Sequence, residues 1–285
     1  MGFYSRHILP RLIDRGCGTK PVRKQREKVV PLAAGRVLEI GIGTGLNLPF
    51  YDPAKVDCVI GLDPAREMLL IAQSRDKDVP FRVDYVAPEG SEIPLDDGSV
   101  DTVLITYTLC TIPEPVPTLD GMRRVLKPGG RLIFCEHGKA PDVAVERRQH
   151  RLTPLWRIIA GGCCLDRDIP VLITQGGFRL RKVETMYLPK TPGFAGFNYW
   201  GAAVPSRALR GLPTGGMSSR GGLPEKTSVR SMVRVAKSAL ENSCSSARGV
   251  CACAEAVMSM VIRKMRIEPI PEVCDHAGGT TSDAR

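Results

Sequence analysis

Short apolar runs alternate with amphipathic stretches along the chain as far as Val204. Arg36 to Ile42 (RVLEIGI) reads as a buried strand, and it leads into a glycine turn and then LNLPFY. Val56 to Asp63 (VDCVIGLD) is a second apolar run that ends in a carboxylate. The helix expected over Pro64 to Arg75 places Met68, Leu69 and Ala72 at core spacing. Phe81 to Val86, Asp101 to Tyr107 and Arg131 to His137 supply three more strands. A helix over Val116 to Leu126, stopped by KPGG, separates the last two. Upstream, two helices are expected, broken between Gly16 and Pro21. Downstream, helices over Asp142 to Ala160 and Asp166 to Gln175 precede strands at Arg179 to Leu188 and Gly196 to Val204. Strands alternating with helices require right-handed crossovers and a mostly parallel sheet covered on both faces. The expected architecture is a doubly wound α/β sheet of seven strands, closed in antiparallel fashion by its last two.

Composition adds a boundary. All fifteen aromatic residues lie at or before Trp200, and the 81 residues from Pro205 to Arg285 contain none. Without Phe, Tyr or Trp that segment lacks the largest sources of buried area. The expected organisation is a domain over 1–204 followed by a basic linker and tail over 205–285, unstructured or loosely helical. The net charge of +10 permits attraction to phosphate or anionic lipid without bearing on fold. Its one dense cluster, Arg23, Lys24, Arg26 and Lys28, reads as a solvated helix face. Ten scattered cysteines show no paired zinc spacing, so free thiols in a reducing cytoplasm are expected and no metal site is assigned. The start has no apolar leader core, Arg6 stands where a myristoylation signal carries Ser or Thr, and no apolar run has the length of a membrane span. Peripheral membrane contact stays open.

The strongest chemical signal is Glu39-Ile40-Gly41-Ile42-Gly43-Thr44-Gly45, at the end of the first strand. Glycines there let backbone approach a ligand, and a following helix would offer unpaired N–H groups. The dinucleotide fingerprint G-x-G-x-x-G fails, because its third glycine falls on Leu46 or Leu48. Asp63 ends the second strand, so in a parallel sheet it faces the same crevice as the glycine turn, where its carboxylate can accept both ribose hydroxyls of an adenosine. Capping the helix that starts at Pro64 is the alternative role.

VLEIGIGTG, GLDPAREML, IPLDDGSVDTVLITYTL and RVLKPGGRLIFCEHG together resemble the class I S-adenosylmethionine-dependent methyltransferases, over about residues 1 to 204. The resemblance implies a Rossmann-like methyltransferase fold and S-adenosyl-L-methionine as cofactor. Gly41, Gly43 and Gly45 would cradle its methionine end, Glu39 would orient the amino-acid group, and Asp63 with Pro64 would hold the ribose. Glu89 or Glu92 would hold the adenine, and Thr106 at the end of the fourth strand joins the set. TYTLCTIPEP, CEHG, RRQHRLTPLWRIIAGGCCLDRDI and FNYWGAA are similar to methyltransferase-like thiol methyltransferases and to small bacterial phospholipid or quinone methyltransferases. The Cys163-Cys164 pair and the tail depart from that pattern.

A sulfonium methyl donor is already activated, so the protein's task is to align an acceptor. Thr106, Tyr107, Thr108, Glu136 and His137 stand at the carboxyl ends of the fourth and fifth strands. Of these, His137 is the proposed proton acceptor and Tyr107 a second catalytic candidate. Trp156, Arg157 and Asp166 to Asp168 are candidates for a lid, and Cys110 reads as a buried bystander. The expected function is methyl transfer to a small-molecule or lipid acceptor carrying a thiol, an amine headgroup or a quinol. A nucleic-acid methyltransferase is the first alternative; TYTL after the fourth strand speaks against it, where an amino-directed DNA enzyme carries an Asn- or Asp-Pro-Pro-aromatic motif. A non-catalytic cofactor-fold protein acting through its tail is the second.

Overall fold

The computed structural model describes residues 8–88 and 92–206. Seven strands form one sheet: β1 (Gly35–Ile40), β2 (Val56–Leu62), β3 (Arg82–Val86), β4 (Val100–Thr106), β5 (Leu126–His137), β6 (Phe178–Tyr187) and β7 (Phe197–Pro205). Their order is β3-β2-β1-β4-β5-β7-β6. Each apolar run read from the sequence is a strand, within a few residues at its ends. The two closing strands pair in antiparallel fashion, as expected. β7 lies between β5 and β6 and pairs antiparallel with both, so β6 points the same way as β1 to β5, and a single strand opposes the rest.

Among the described residues seven α-helices flank the sheet: α1 (Leu9–Cys17), α2 (Lys20–Val29), α3 (Arg66–Arg75), α4 (Pro115–Val125), α5 (Val143–Ile159), α6 (Ile169–Gln175) and the single turn α7 (Gly193–Gly196). Strand side chains alternate between faces, and both faces are dry. On one, Leu38, Ile40, Val103, Ile105, Leu132 and Phe134 pack with Leu119 and Met122 of α4 and with Ile169 and Ile173 of α6. On the other, Val37, Val59, Leu104 and Ile133 meet Val29 of α2, Leu69 of α3, Leu48 and Tyr51. This two-sided burial explains why the central strands read as nearly continuous apolar runs.

One expected helix is absent. LNLPFY forms only a single 3-10 turn at Leu48–Phe50, so the glycine turn continues into loop and not into an α-helix. Pro49 and the buried side chains of Asn47, Leu48 and Tyr51 hold this segment down instead. None of the helices among the described residues is long and apolar enough to cross a membrane. β7 runs one residue past the boundary drawn at 204, with Pro205 opposite Phe178, and the Ser206 N–H reaches the Gly177 carbonyl at 2.9 Å. The expectation for the tail falls on residues that, from 207 on, lie outside the described ones.

At Gly201 in β7, an added Cβ would lie 1.9 Å from the Lys182 carbonyl oxygen and 3.2 Å from the Phe134 ring. Gly201→Ala must therefore push β6 and β7 apart. The expected loss is about 1–3 kcal/mol of stability, read as a lower midpoint in chemical unfolding.

Candidate active site

Strand order reverses between β1 and β4, and a parallel sheet presents a ligand crevice at the carboxyl ends of such strands. Gly41, Gly43 and Gly45 sit there with φ of 70°, 57° and 78°, the left-handed region that glycine enters without steric cost. Their surroundings separate their roles. A Cβ on Gly41 would strike the Thr108 side chain at 2.3 Å, and one on Gly45 would meet Leu48 at 2.9 Å and Ala72 of α3 at 3.2 Å. These two glycines serve close packing. At Gly43 the nearest atom would be the Gly41 carbonyl oxygen, 3.9 Å away, so this glycine faces open space.

Asp63 stands beside it, just past β2. Its Oδ2 accepts the Gly43 N–H at 3.0 Å and its Oδ1 the Ala65 N–H at 2.8 Å. Burial outweighs these two bonds and raises its pKa, so the carboxylate is short of donors. The turn is also clamped from outside. Arg75 of α3 forks onto both carboxylate oxygens of Asp14 in α1, at 2.8 and 3.1 Å, and donates to the Thr44 carbonyl at 2.9 Å. Thr44 Oγ1 completes the clamp with a 2.5 Å bond to Asp14. The same helix reaches the far side of the site, where a Cβ on Gly161 would touch Leu9. α1 thus bridges the glycine turn and the loop after α5.

A buried polar network lies beneath. Glu39 accepts from Asn47 Nδ2 at 2.8 Å and from the Tyr51 hydroxyl at 2.6 Å. Arg26 of α2 donates through Nη1 to Asn47 Oδ1 at 2.5 Å and to Thr106 Oγ1 at 2.7 Å, and its guanidinium lies 5.3 Å from the centre of the Tyr107 ring. Burial pushes the Glu39 carboxyl up to about 7 against these hydrogen bonds and the attraction of Arg26. The basic cluster read as one solvated face is therefore split: Arg23, Lys24 and Lys28 are exposed, while Arg26 is only 6% exposed. Arg26, Asn47 and Tyr51 escaped the sequence reading. The one signal available was position, since Arg26 lies one residue after Gln25 and three before Val29, both buried on the inner side of α2.

Tyr107 adopts φ of 53°, which costs a residue with a Cβ about 1–2 kcal/mol. Its hydroxyl donates to Asn198 of β7 at 2.6 Å, and its backbone N–H to Cys135 at 2.9 Å. The side chain is thus committed to the framework. Thr106 is committed likewise, as the acceptor for Arg26 and Asn47. Glu136, fully buried at the end of β5, accepts the Thr108 and Leu109 N–H groups on Oε1 at 2.9 and 3.1 Å, and burial raises its carboxyl to about 7. Its Oε2 has no hydrogen-bond partner among the described residues.

His137 meets a residue that no sequence motif marked. Its Nε2 lies 3.1 Å from Cys163 Sγ, to which the Trp156 indole N–H also donates at 3.3 Å. Cys110 completes the group. Hydrogen bonding from Cys110, with help from the charge and hydrogen bond of His137, draws the Cys163 thiol down to about 4. Burial alone would lower the imidazole's pKa, but the Cys163 sulfur holds it above its ordinary value. Cys110 is buried, as expected, with its sulfur in this group, and Trp156 contributes a hydrogen bond as well as packing edge-to-face on Phe194. The remaining lid candidates lie elsewhere: Arg157 is exposed, Asp166 pairs with His150, and Asp168 caps α6. Arg167 does contribute, tying its loop to the Leu109 and Ile112 carbonyls. Pro64 and Glu92 are exposed, and Glu89 lies outside the described residues.

A family model described as a methyltransferase domain matches residues 38–134, from within β1 to within β5. This stretch holds the glycine turn, Asp63 and Thr106. Over this stretch the chain is similar to methyltransferase domains. The chain is 36% identical over 140 residues to human thiol S-methyltransferase TMT1B, covering 48% of this chain and 57% of that protein. It is 33% identical over 132 residues to phosphatidylethanolamine N-methyltransferase of Cereibacter sphaeroides, covering 44% and 63%. A Haloferax volcanii methyltransferase solved with the Trm112 methyltransferase activator superposes with a TM-score of 0.55 at 16% identity, covering 70% of this chain and 94% of that one, a likeness of fold. The chain spans less than two thirds of the length of the two named relatives. The described residues that make the site lie inside the matched stretch and on both sides of it, since Arg26, His137 and Cys163 fall beyond its ends.

Glu39 provides a pH signature. Its folded pKa of about 7 exceeds the unfolded carboxylate value of about 4.3, so the folded state holds a proton across that interval that the unfolded chain has released. The associated stability is complete below about pH 4 and fades as pH rises through 7, by up to about 3 kcal/mol. Glu39→Gln is expected to shrink the fall in melting temperature of the cofactor-free protein between about pH 5 and pH 8. An unchanged fall would show that Glu39 is ionised throughout.

Proposed function

We propose that the chain is an S-adenosylmethionine-dependent methyltransferase acting on a small-molecule or lipid acceptor. The observation that carries the reading is the pairing of Asp63 with the Gly43 N–H at the switch point, next to a glycine whose Cβ position is open. A carboxylate short of donors fits the two hydroxyls of a ribose, and bare backbone at Gly43 fits close approach by the cofactor's amino-acid end. Glu39, held by Asn47 and Tyr51 and facing the Arg26 charge, fits the cofactor's ammonium group. When bound, S-adenosylmethionine supplies an electrophilic methyl group on a sulfonium.

The chain's own residues then position the acceptor and deal with its proton. Glu136 is the better base: among the described residues its Oε2 has no hydrogen-bond partner and its carboxyl ionises near 7, whereas His137 Nε2 is engaged by Cys163. Tyr107 acts as a positioning residue, fixing Arg26 from one side and β7 from the other. Among thiol, amine-headgroup and quinol acceptors, the thiol has the most support. Cys110 and Cys163 give this side of the site a soft, sulfur-rich lining, and one relative is a thiol S-methyltransferase.

Asp63→Ala is expected to weaken cofactor binding at least tenfold by calorimetry, in keeping with loss of charge-assisted hydrogen bonds; unchanged affinity would remove the ribose assignment. Gly43→Val should abolish binding while the fold persists, because the added methyls enter the space left for the ligand. With labelled cofactor and matched thiols, amine-headed lipids and quinols, label should pass to the thiols. Transfer to the lipids or quinols alone would move the acceptor class.

A further inference from the structure

Cys110, His137 and Cys163 lie far apart along the chain, on the loop after β4, at the end of β5 and on the loop after α5. Their ligand atoms all fall within 4.8 Å of one another. We propose that these three side chains bind a soft divalent cation of the zinc class. The inference deepens the acceptor side of the function proposed above and rests on that reading only for its consequence, not for its geometry. A tetrahedral centre with sulfur at about 2.3 Å and imidazole nitrogen at about 2.0–2.1 Å spaces its ligand atoms roughly 3.5–3.8 Å apart. His137 Nε2 and Cys163 Sγ are 3.1 Å apart and no separation in the group exceeds 4.8 Å, so a cation can enter with side-chain adjustment alone.

The donor set selects the metal. Two sulfurs and one imidazole, with no carboxylate among them, suit zinc and not magnesium or calcium. Two thiolates also neutralise a dication, which matters because Cys110 is 2% exposed and Cys163 8%. The backbone holds the ligands in place independently of any ion. The Cys164 N–H bonds the Cys110 carbonyl at 2.9 Å, joining the two cysteine loops, and Arg167 secures the first loop at the Ile112 carbonyl at 2.7 Å. The second loop turns through Gly161 and Gly162, with φ of 63° and 95°, and the Gly162 N–H bonds the Arg157 carbonyl at 2.7 Å. The Trp156 indole N–H donates to Cys163 Sγ, the kind of outer contact that orients a ligating thiolate. Three protein ligands leave a fourth position for water or for a thiolate from outside the chain, and a thiol bound there would be deprotonated.

The test uses the full chain, incubated with zinc or with cobalt(II), freed of unbound metal and analysed for metal per chain by mass spectrometry. One equivalent is expected, with sulfur-to-metal charge-transfer absorption and tetrahedral bands in the cobalt form. Cys163→Ser and Cys110→Ser should each lower metal affinity at least tenfold, while Cys58→Ser, on β2 and outside the cluster, should leave it intact. Well below one equivalent in the wild-type chain, or equal affinity and spectrum in both cluster variants, would overturn the site. Should a serine variant misfold by circular dichroism, His137→Asn takes its place, with loss of metal again expected and retention overturning. Cofactor affinity is measured on the same samples: a wild-type chain that binds metal but no cofactor would sink the methyl-transfer reading and leave this site standing.

Discussion

The structure turns on the reversal of strand order between β1 and β4. Successive strands after β1 are laid down on one side and those after β4 on the other, and right-handed crossovers then send their helices to opposite faces. Backbone and side chains that follow β1 and β4 therefore meet in one place. The Asp63 to Gly43 hydrogen bond joins the ends of β1 and β2 on one side of that gap, and Glu136 grips the backbone after β4 on the other. Substituents of β1, β2, β4 and β5 converge because the sheet is parallel there, and an antiparallel arrangement would have sent alternate ones to the opposite edge.

Placing charge at this gap has consequences. Glu39 and Glu136 are almost completely buried, and each has one neighbour that makes burial tolerable: the Arg26, Asn47 and Tyr51 network for the first, two backbone N–H groups for the second. Neither set fully offsets the loss of water, and both carboxyls ionise near 7 as a result. The N-terminal helices are part of this arrangement. α2 delivers the buried guanidinium, and α1 delivers Asp14 to the Arg75 and Thr44 clamp on the glycine turn. The side of the site around Asp63 and Arg26 is polar and hydrogen-bonded, whereas the side around His137 is built from sulfur, imidazole and indole.

Particular residues show how far the chain could be read as written. Glu39, the three glycines and Asp63 were legible because a parallel strand, its turn and the end of the next strand form one local unit, whose spacing is set by the length of a single crossover. The apolar runs were legible for a related reason: burial on both faces leaves no polar alternation. What the order of residues could not supply was pairing across the sheet. β7 takes its place between β5 and β6 through backbone hydrogen bonds that any side chain can make, so only assembled strands reveal that β6 runs with the others. The glycine turn's missing helix was decided by packing of Leu48 and Tyr51 against the sheet, which overrode the local pattern. Arg26 looked like one more surface cation until helix α2 settled with that face inward. Cys110, His137 and Cys163 carry no spacing rule, because three separate connections bring them together. The sequence by itself determined the strands, the glycine turn and its carboxylate, since those follow from local burial and backbone sterics. Tertiary structure alone decided which distant side chains gather around His137, since that depends on where whole elements dock.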